Sequence, residues 1–90
     1  MKPEQIELAR HALGLPNKGR RSYRNRFVTG PGSLDYLHWV QMVNDGHARR
    51  RSGSALTGGD DFFWLTAVGA CEALLPGEKL DQEDFPGVRK

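Results

Sequence analysis

Eight of the thirteen Lys and Arg residues fall in two short runs: Lys18, Arg20, Arg21, Arg24 and Arg26, then Arg49, Arg50 and Arg51. No acid lies within 16–26 or 49–51, although the whole chain carries a net charge of only +2. Guanidinium groups pair phosphates bidentately, and a cluster of them attracts a polyanion. These eight are therefore the candidate nucleic-acid-binding residues, provided the fold brings the two runs to one face. The competing reading is two solvated basic loops, with 49–51 protecting a sheet edge by charge. Along a strand, alternation aims Arg49 and Arg51 to one side and Arg50 to the other. Tyr23 and Phe27 interleave with the first run and could stack on exposed bases. A domain this small needs its large apolar groups inside, so both are expected in the core, together with Trp39 and Trp64.

The remaining reactive side chains do not assemble into a site. His11, His38, His47 and Cys71 form no C-x-x-C or H-x-x-x-H pair, so no metal is expected. Cys71 falls at an apolar helical position, which favours an inert core residue over a nucleophile. Asp60 and Asp61 are adjacent, so on a strand they point oppositely and suit a turn or strand entry. The glycine-rich stretch 52–59 lacks the order of a nucleotide cradle. No catalytic residue and no cofactor is expected, and the chain reads as a non-enzyme.

The elements that must position these residues are few. Ninety residues, 38% hydrophobic and 27% charged, make one small soluble domain. No apolar run approaches the ~20 residues of a membrane span, so no membrane partner is expected. Met1 to Gln5 is not followed by the apolar region of a secretory signal. A single cysteine excludes an intramolecular disulfide and suggests a reducing compartment, hence a cytoplasmic protein.

Pro3 suits the first turn of a helix, and Ile6, Ala9 and Leu13 repeat at helical spacing up to Gly14. The spacing predicts a helix over 3–13. Residues 22–29 favour a short strand by composition, and Gly30-Pro31-Gly32 breaks it. Ser33 is an N-cap for a second helix over 34–44, ended by Gly46. Residues 47–51 and 61–65 read as strands joined by a loop at 52–60 and paired antiparallel. Thr66 caps a third helix over 67–75, before Pro76-Gly77. The expected core includes Ile6, Leu13, Leu37, Val40, Phe63, Leu65 and Leu74. The acidic stretch 78–90 has no period and is expected to be a loose tail on a domain of residues 1–77.

Residues 34–75 resemble the second half of winged-helix domains. A helix ends in Asn44-Asp45-Gly46-His47-Ala48-Arg49-Arg50, and a strand, a glycine-rich loop and a second strand follow. The segment closes in Phe63-Trp64-Leu65-Thr66-Ala67-Val68-Gly69, where Thr66 opens the next helix and Gly69 allows close packing on the hairpin. The resemblance implies an α+β, winged-helix-like fold of about three helices and a two-stranded hairpin, with a basic wing at Arg49–Arg51. In the first half, the place of the short helix before the recognition helix holds RRSYRNRFVTGPG (20–32), which is either an irregular helix or extended chain.

The chain as a whole also resembles a family of small uncharacterised bacteriophage or prophage proteins. That likeness rests on Ala12-Leu13-Gly14-Leu15-Pro16, Tyr23-Arg24-Asn25-Arg26-Phe27, Gly30-Pro31-Gly32 and Gly58-Gly59-Asp60-Asp61. It implies a phage-type accessory protein. The expected function is nucleic-acid binding through the basic clusters. The alternative is a protein–protein adaptor or structural module that engages another phage or host protein, with Trp39, Met42 and the aromatic strand 62–64 as its surface.

Overall fold

Pro3 starts helix α1 (Pro3–Leu13) where its missing N–H costs nothing, and Gly14 ends it in the left-handed region at φ 81°. In a computed structural model, which describes residues 1–53 and 58–87, α1 is followed by β1 (Phe27–Thr29), α2 (Leu34–Asn44), β2 (Ala48–Arg51), β3 (Asp61–Leu65) and α3 (Ala67–Glu72). The two remaining helices are capped as their sequences dictate. Ser33 Oγ accepts from the Asp35 N–H at 3.1 Å, and Thr66 Oγ1 accepts from the Gly69 N–H at 3.2 Å.

The three strands form one antiparallel sheet in the order β1-β3-β2. The expected hairpin is present, and β1 adds a third strand on the far side of β3. The class is α+β. Between β1 and α2 lie only residues 30–33, a turn, so no helix precedes α2 there. The helix-turn-helix of a complete winged helix is thus missing its first helix. Of the loop expected at 52–60, residues 54–57 lie outside the described residues.

Residues opposed across an antiparallel pair share a face. Phe63 is opposite Phe27 on one side and Arg50 on the other, and Leu65 is opposite Ala48. These residues turn toward the helices. Trp39 of α2 sits against both Phe27 and Phe63, at ring-centroid distances of 5.3 and 5.6 Å. Ala9, Ala12 and Leu13 of α1, Met42 of α2 and Ala70 of α3 complete the buried cluster. α3 lies close against the start of β2, since a side chain at Gly69 would collide with the His47 carbonyl.

Several expectations change. Leu13, Phe63 and Leu65 are buried and Ile6, Val40 and Leu74 partly so, but Leu37 is 65% exposed. At about 100° per residue, two positions separate Leu37 from the buried Trp39 by about 200° of helix. Tyr23 is also outside the core, 62% exposed, with its ring laid against Gly14. α3 stops at Glu72 rather than at residue 75. Its end is held from outside, because the Arg10 guanidinium donates to the Ala73 carbonyl at 2.8 Å.

The acidic stretch from 78 is not a loose tail. Leu80 and Phe85 are buried in the core cluster. The Ser22 and Lys79 amides donate to the Lys79 and Arg20 carbonyls at 3.0 and 2.8 Å, and the Asp81 N–H donates to Ser22 Oγ at 2.8 Å. Two apolar residues five apart have no helical or strand period, which is why the pattern did not reveal them. The described domain therefore runs to residue 87 rather than 77.

Candidate nucleic-acid interface

The sheet has a second face, turned away from the helices. Val28 and Arg51 are both opposite Phe62, and Arg49 is opposite Trp64, so these five side chains share it. Phe62 and Trp64 are half-buried and Arg49 and Arg51 exposed. The two rings lie 5.9 Å apart and are tilted by 54°. Trp64 was expected in the core. It lies outside because Phe63 and Leu65 already occupy the inner side of the same strand.

Arg50 turns inward, as alternation requires. Its guanidinium donates to the Tyr36 hydroxyl at 3.3 Å and lies 3.8 Å from an Asp61 carboxylate oxygen. Tyr36 donates to the same oxygen at 2.9 Å, and this bond to Asp61 raises the phenol's pKa. Asp61 also accepts from the Gly53 N–H at 2.9 Å. Arg50 is thereby a structural cation, tied to the hairpin's entry, and leaves the set of candidate phosphate ligands.

The first basic run divides in two. Arg24 caps α1, donating to the His11 carbonyl at 2.7 and 3.2 Å, a favourable use of a cation at a helix C-terminus. Arg24 and Arg26, with His11, Phe27 and Val28, line a shallow hollow of about 210 Å³ along the open edge of β1. That edge is two strand spacings, roughly 10 Å, from β2. Lys18, Arg20 and Arg21 lie elsewhere, on a loop pinned to residues 79–81. Asn17 donates there to the Gly14 and Arg21 carbonyls, and the Glu78 carboxyl is held below its ordinary pKa chiefly by its hydrogen bond from Arg10, with Arg20 adding to the effect. The two runs do not merge. Arg49 and Arg51 share the outer face, Arg24 and Arg26 flank its opposite edge, and Lys18, Arg20 and Arg21 stand apart.

Asn25 fixes the geometry between the two edges. Its side-chain amide donates to the Leu65 carbonyl at 3.0 Å and accepts from the Leu65 N–H at 2.8 Å. A side chain thus takes the place of a backbone partner where β1 has not yet begun. Beside it, Arg49, Trp64, Thr66, Asp84 and Phe85 help line a hollow of about 320 Å³ at the end of the outer face. Burial, then repulsion from Asp81 and Glu83, raises the Asp84 pKa.

No protein-family model, curated protein or solved structure matches this chain. α2, the helix that the winged-helix likeness would place in a DNA groove, carries no Lys or Arg. Leu34 and Leu37 are among its exposed residues. Among the described residues, no group of three or more His, Cys, Asp or Glu is placed to hold a metal ion. None of the described helices is long and apolar enough to cross a membrane.

The signal for the outer face was present in Asp61-Phe62-Phe63-Trp64-Leu65. Five residues with bulky groups at four successive positions must place two of them opposite the core, and a sheet with helices on one side leaves those two half-buried on the other.

Proposed function

We propose that this chain is a non-enzymatic, phage-type accessory protein of the cytoplasm that binds nucleic acid through the outer face of its sheet. The observation that carries the reading is the register pairing Arg49 with Trp64 and Arg51 with Phe62 on a face that no helix covers among the described residues. Two exposed guanidinium groups are carried there on alternate residues of one strand, with the exposed Arg26 across the sheet. The phage-type origin rests on the sequence resemblance. The element order and the β1-β3-β2 sheet are compatible with a winged-helix-like domain that lacks the helix before α2.

The test is a salt titration of binding. Each phosphate contact contributes a slope of about −0.9 in log affinity against log salt on duplex DNA and about −0.7 on a single strand. Arg49→Ala/Arg51→Ala should shallow the slope by roughly 1.4–1.8 with the fold intact. Lys18→Ala/Arg21→Ala should change it much less. Absence of binding at low salt, or equal loss in both variants, would refute the reading.

A protein–protein adaptor is the second reading. Leu34 and Leu37, 80% and 65% exposed on one side of α2, favour it. It would lead if nucleic acid failed to bind.

A further inference from the structure

Resting on the nucleic-acid reading above, we propose that the ligand is a single strand, its bases stacked on Trp64 and Phe62 and its phosphates held by Arg49 and Arg51. Side chains at alternate positions of a strand are about 6.6–6.8 Å apart along the chain. The Phe62 and Trp64 centroids are 5.9 Å apart with a 54° tilt, so neither ring is laid flat over the other. Each has an arginine directly across the ladder. Aromatic rings in a basic groove are the arrangement on which unpaired bases stack, whatever their sequence.

A duplex could not use this face in the same way. Its bases already cover one another, and their flat faces are closed to a side chain until the strands part. Reading a duplex from its groove calls for an element that enters it with cations. α2 has none, and Arg50, in the middle of the basic strand, is committed to Tyr36 and Asp61. What remains on the outer face is two rings, two cations and the apolar Val28 at the β1 edge, a set that suits a flexible strand whose bases can splay. The hollow beside Trp64, bordered by Arg49, Asn25 and Asp84, extends the platform by room for a further base.

The full chain should be titrated with oligothymidylate and oligouridylate of about twelve nucleotides, within the roughly 4–16 that such sites cover. A duplex of the same length and heparin complete the set. The single strands should bind more tightly than the duplex and change tryptophan fluorescence, since Trp39 is fully buried and Trp64 is the ring on the face. The two oligonucleotides separate DNA from RNA. Trp64→Leu keeps an apolar side chain but removes the stacking surface. It should weaken single-strand binding by roughly 5- to 150-fold with little change in salt slope. Phe62→Leu should act in the same direction and gives a second reading if Trp64→Leu folds poorly by circular dichroism. Should the duplex or heparin bind as tightly as the single strands, or both Leu variants bind like wild type, the single-strand proposal is overturned. If Arg49→Ala/Arg51→Ala still shallows the slope in that case, the broader nucleic-acid reading survives. Binding to none of the nucleic acids overturns both.

Discussion

Arg10 and Glu78, 68 residues apart in sequence, meet in a two-pronged ion pair, Nη1 to Oε1 at 2.5 Å and Nη2 to Oε2 at 2.8 Å. Both side chains are largely shielded from water, at 12% and 8% exposure. The same guanidinium holds the end of α3 through the Ala73 carbonyl, and Glu78 also accepts from the Leu75 N–H. One pair therefore joins α1, the end of α3 and the acidic C-terminal segment.

The pair predicts an acid-sensitive stability. The hydrogen bond from Arg10 is the main cause that holds the Glu78 pKa below its ordinary 4.5. A carboxyl with a depressed folded pKa contributes stability that is fully present above its unfolded value and is lost as pH falls through the folded one. Glu78→Gln should lower stability at neutral pH by about 1.5–3 kcal/mol and flatten the acid limb. Urea melts across pH 2–7 check this. Parallel pH profiles for the two proteins would contradict it.

Arg50 should behave unlike its neighbours. Its contacts with Tyr36 and Asp61 are half-exposed, so Arg50→Ala should cost about 0.2–1 kcal/mol of stability. Its effect on the salt slope of binding should be smaller than that of Arg49→Ala or Arg51→Ala. A thermal melt and a salt titration of the three single variants separate the roles.

Two leucines that look equivalent in sequence should part. Leu65→Ala removes a buried side chain and should cost on the order of 2–5 kcal/mol. Leu37→Ala removes an exposed one and should stay within about 0.5 kcal/mol. Chemical denaturation of both variants checks the orientation of α2, and a large loss at Leu37 would contradict it.

Gly69 has room for no side chain, because a Cβ there would meet the backbone of His47. Gly69→Ala should therefore destabilise by about 1–3 kcal/mol, despite the better helix propensity of alanine. Melting of this variant beside Ala67→Gly, an exposed change in the same helix, distinguishes the clash from propensity.

α1 and α2 could be read from sequence because each announces itself twice, by its periodicity and by its ends, and β3 by its run of bulky residues and its end. Pro3 and Gly14 bracket the first, Ser33 caps the second, and Thr66 follows the third. The side chains that cross between elements left no such trace. Asn25 reads as a loop residue, yet its amide completes the ladder at Leu65. Trp64 reads as core by size, and only the three-strand sheet, with its inner side filled by Phe63 and Leu65, puts it outside. Of the eight cations chosen by charge alone, Arg24 and Arg50 serve carbonyl and carboxylate groups within the fold. Density of charge in sequence does not say which guanidinium groups have intramolecular partners. Arg49 and Arg51 were distinguishable from Arg50 by alternation, and the sheet register shows that separation.

The join between residues 20–22 and 79–81 also sets the order of events during synthesis. Ser22 stays without its backbone and hydroxyl partners until Lys79 and Asp81 have been made, and Arg10 waits equally for Glu78. Closing loops of this length costs entropy before any contact returns it. Until residues 78–81 have left the ribosome, α1 and the arginine-rich loop have no finished domain to join. The domain completes these contacts only after residues 78–81 have emerged, with the early basic segment without them until then.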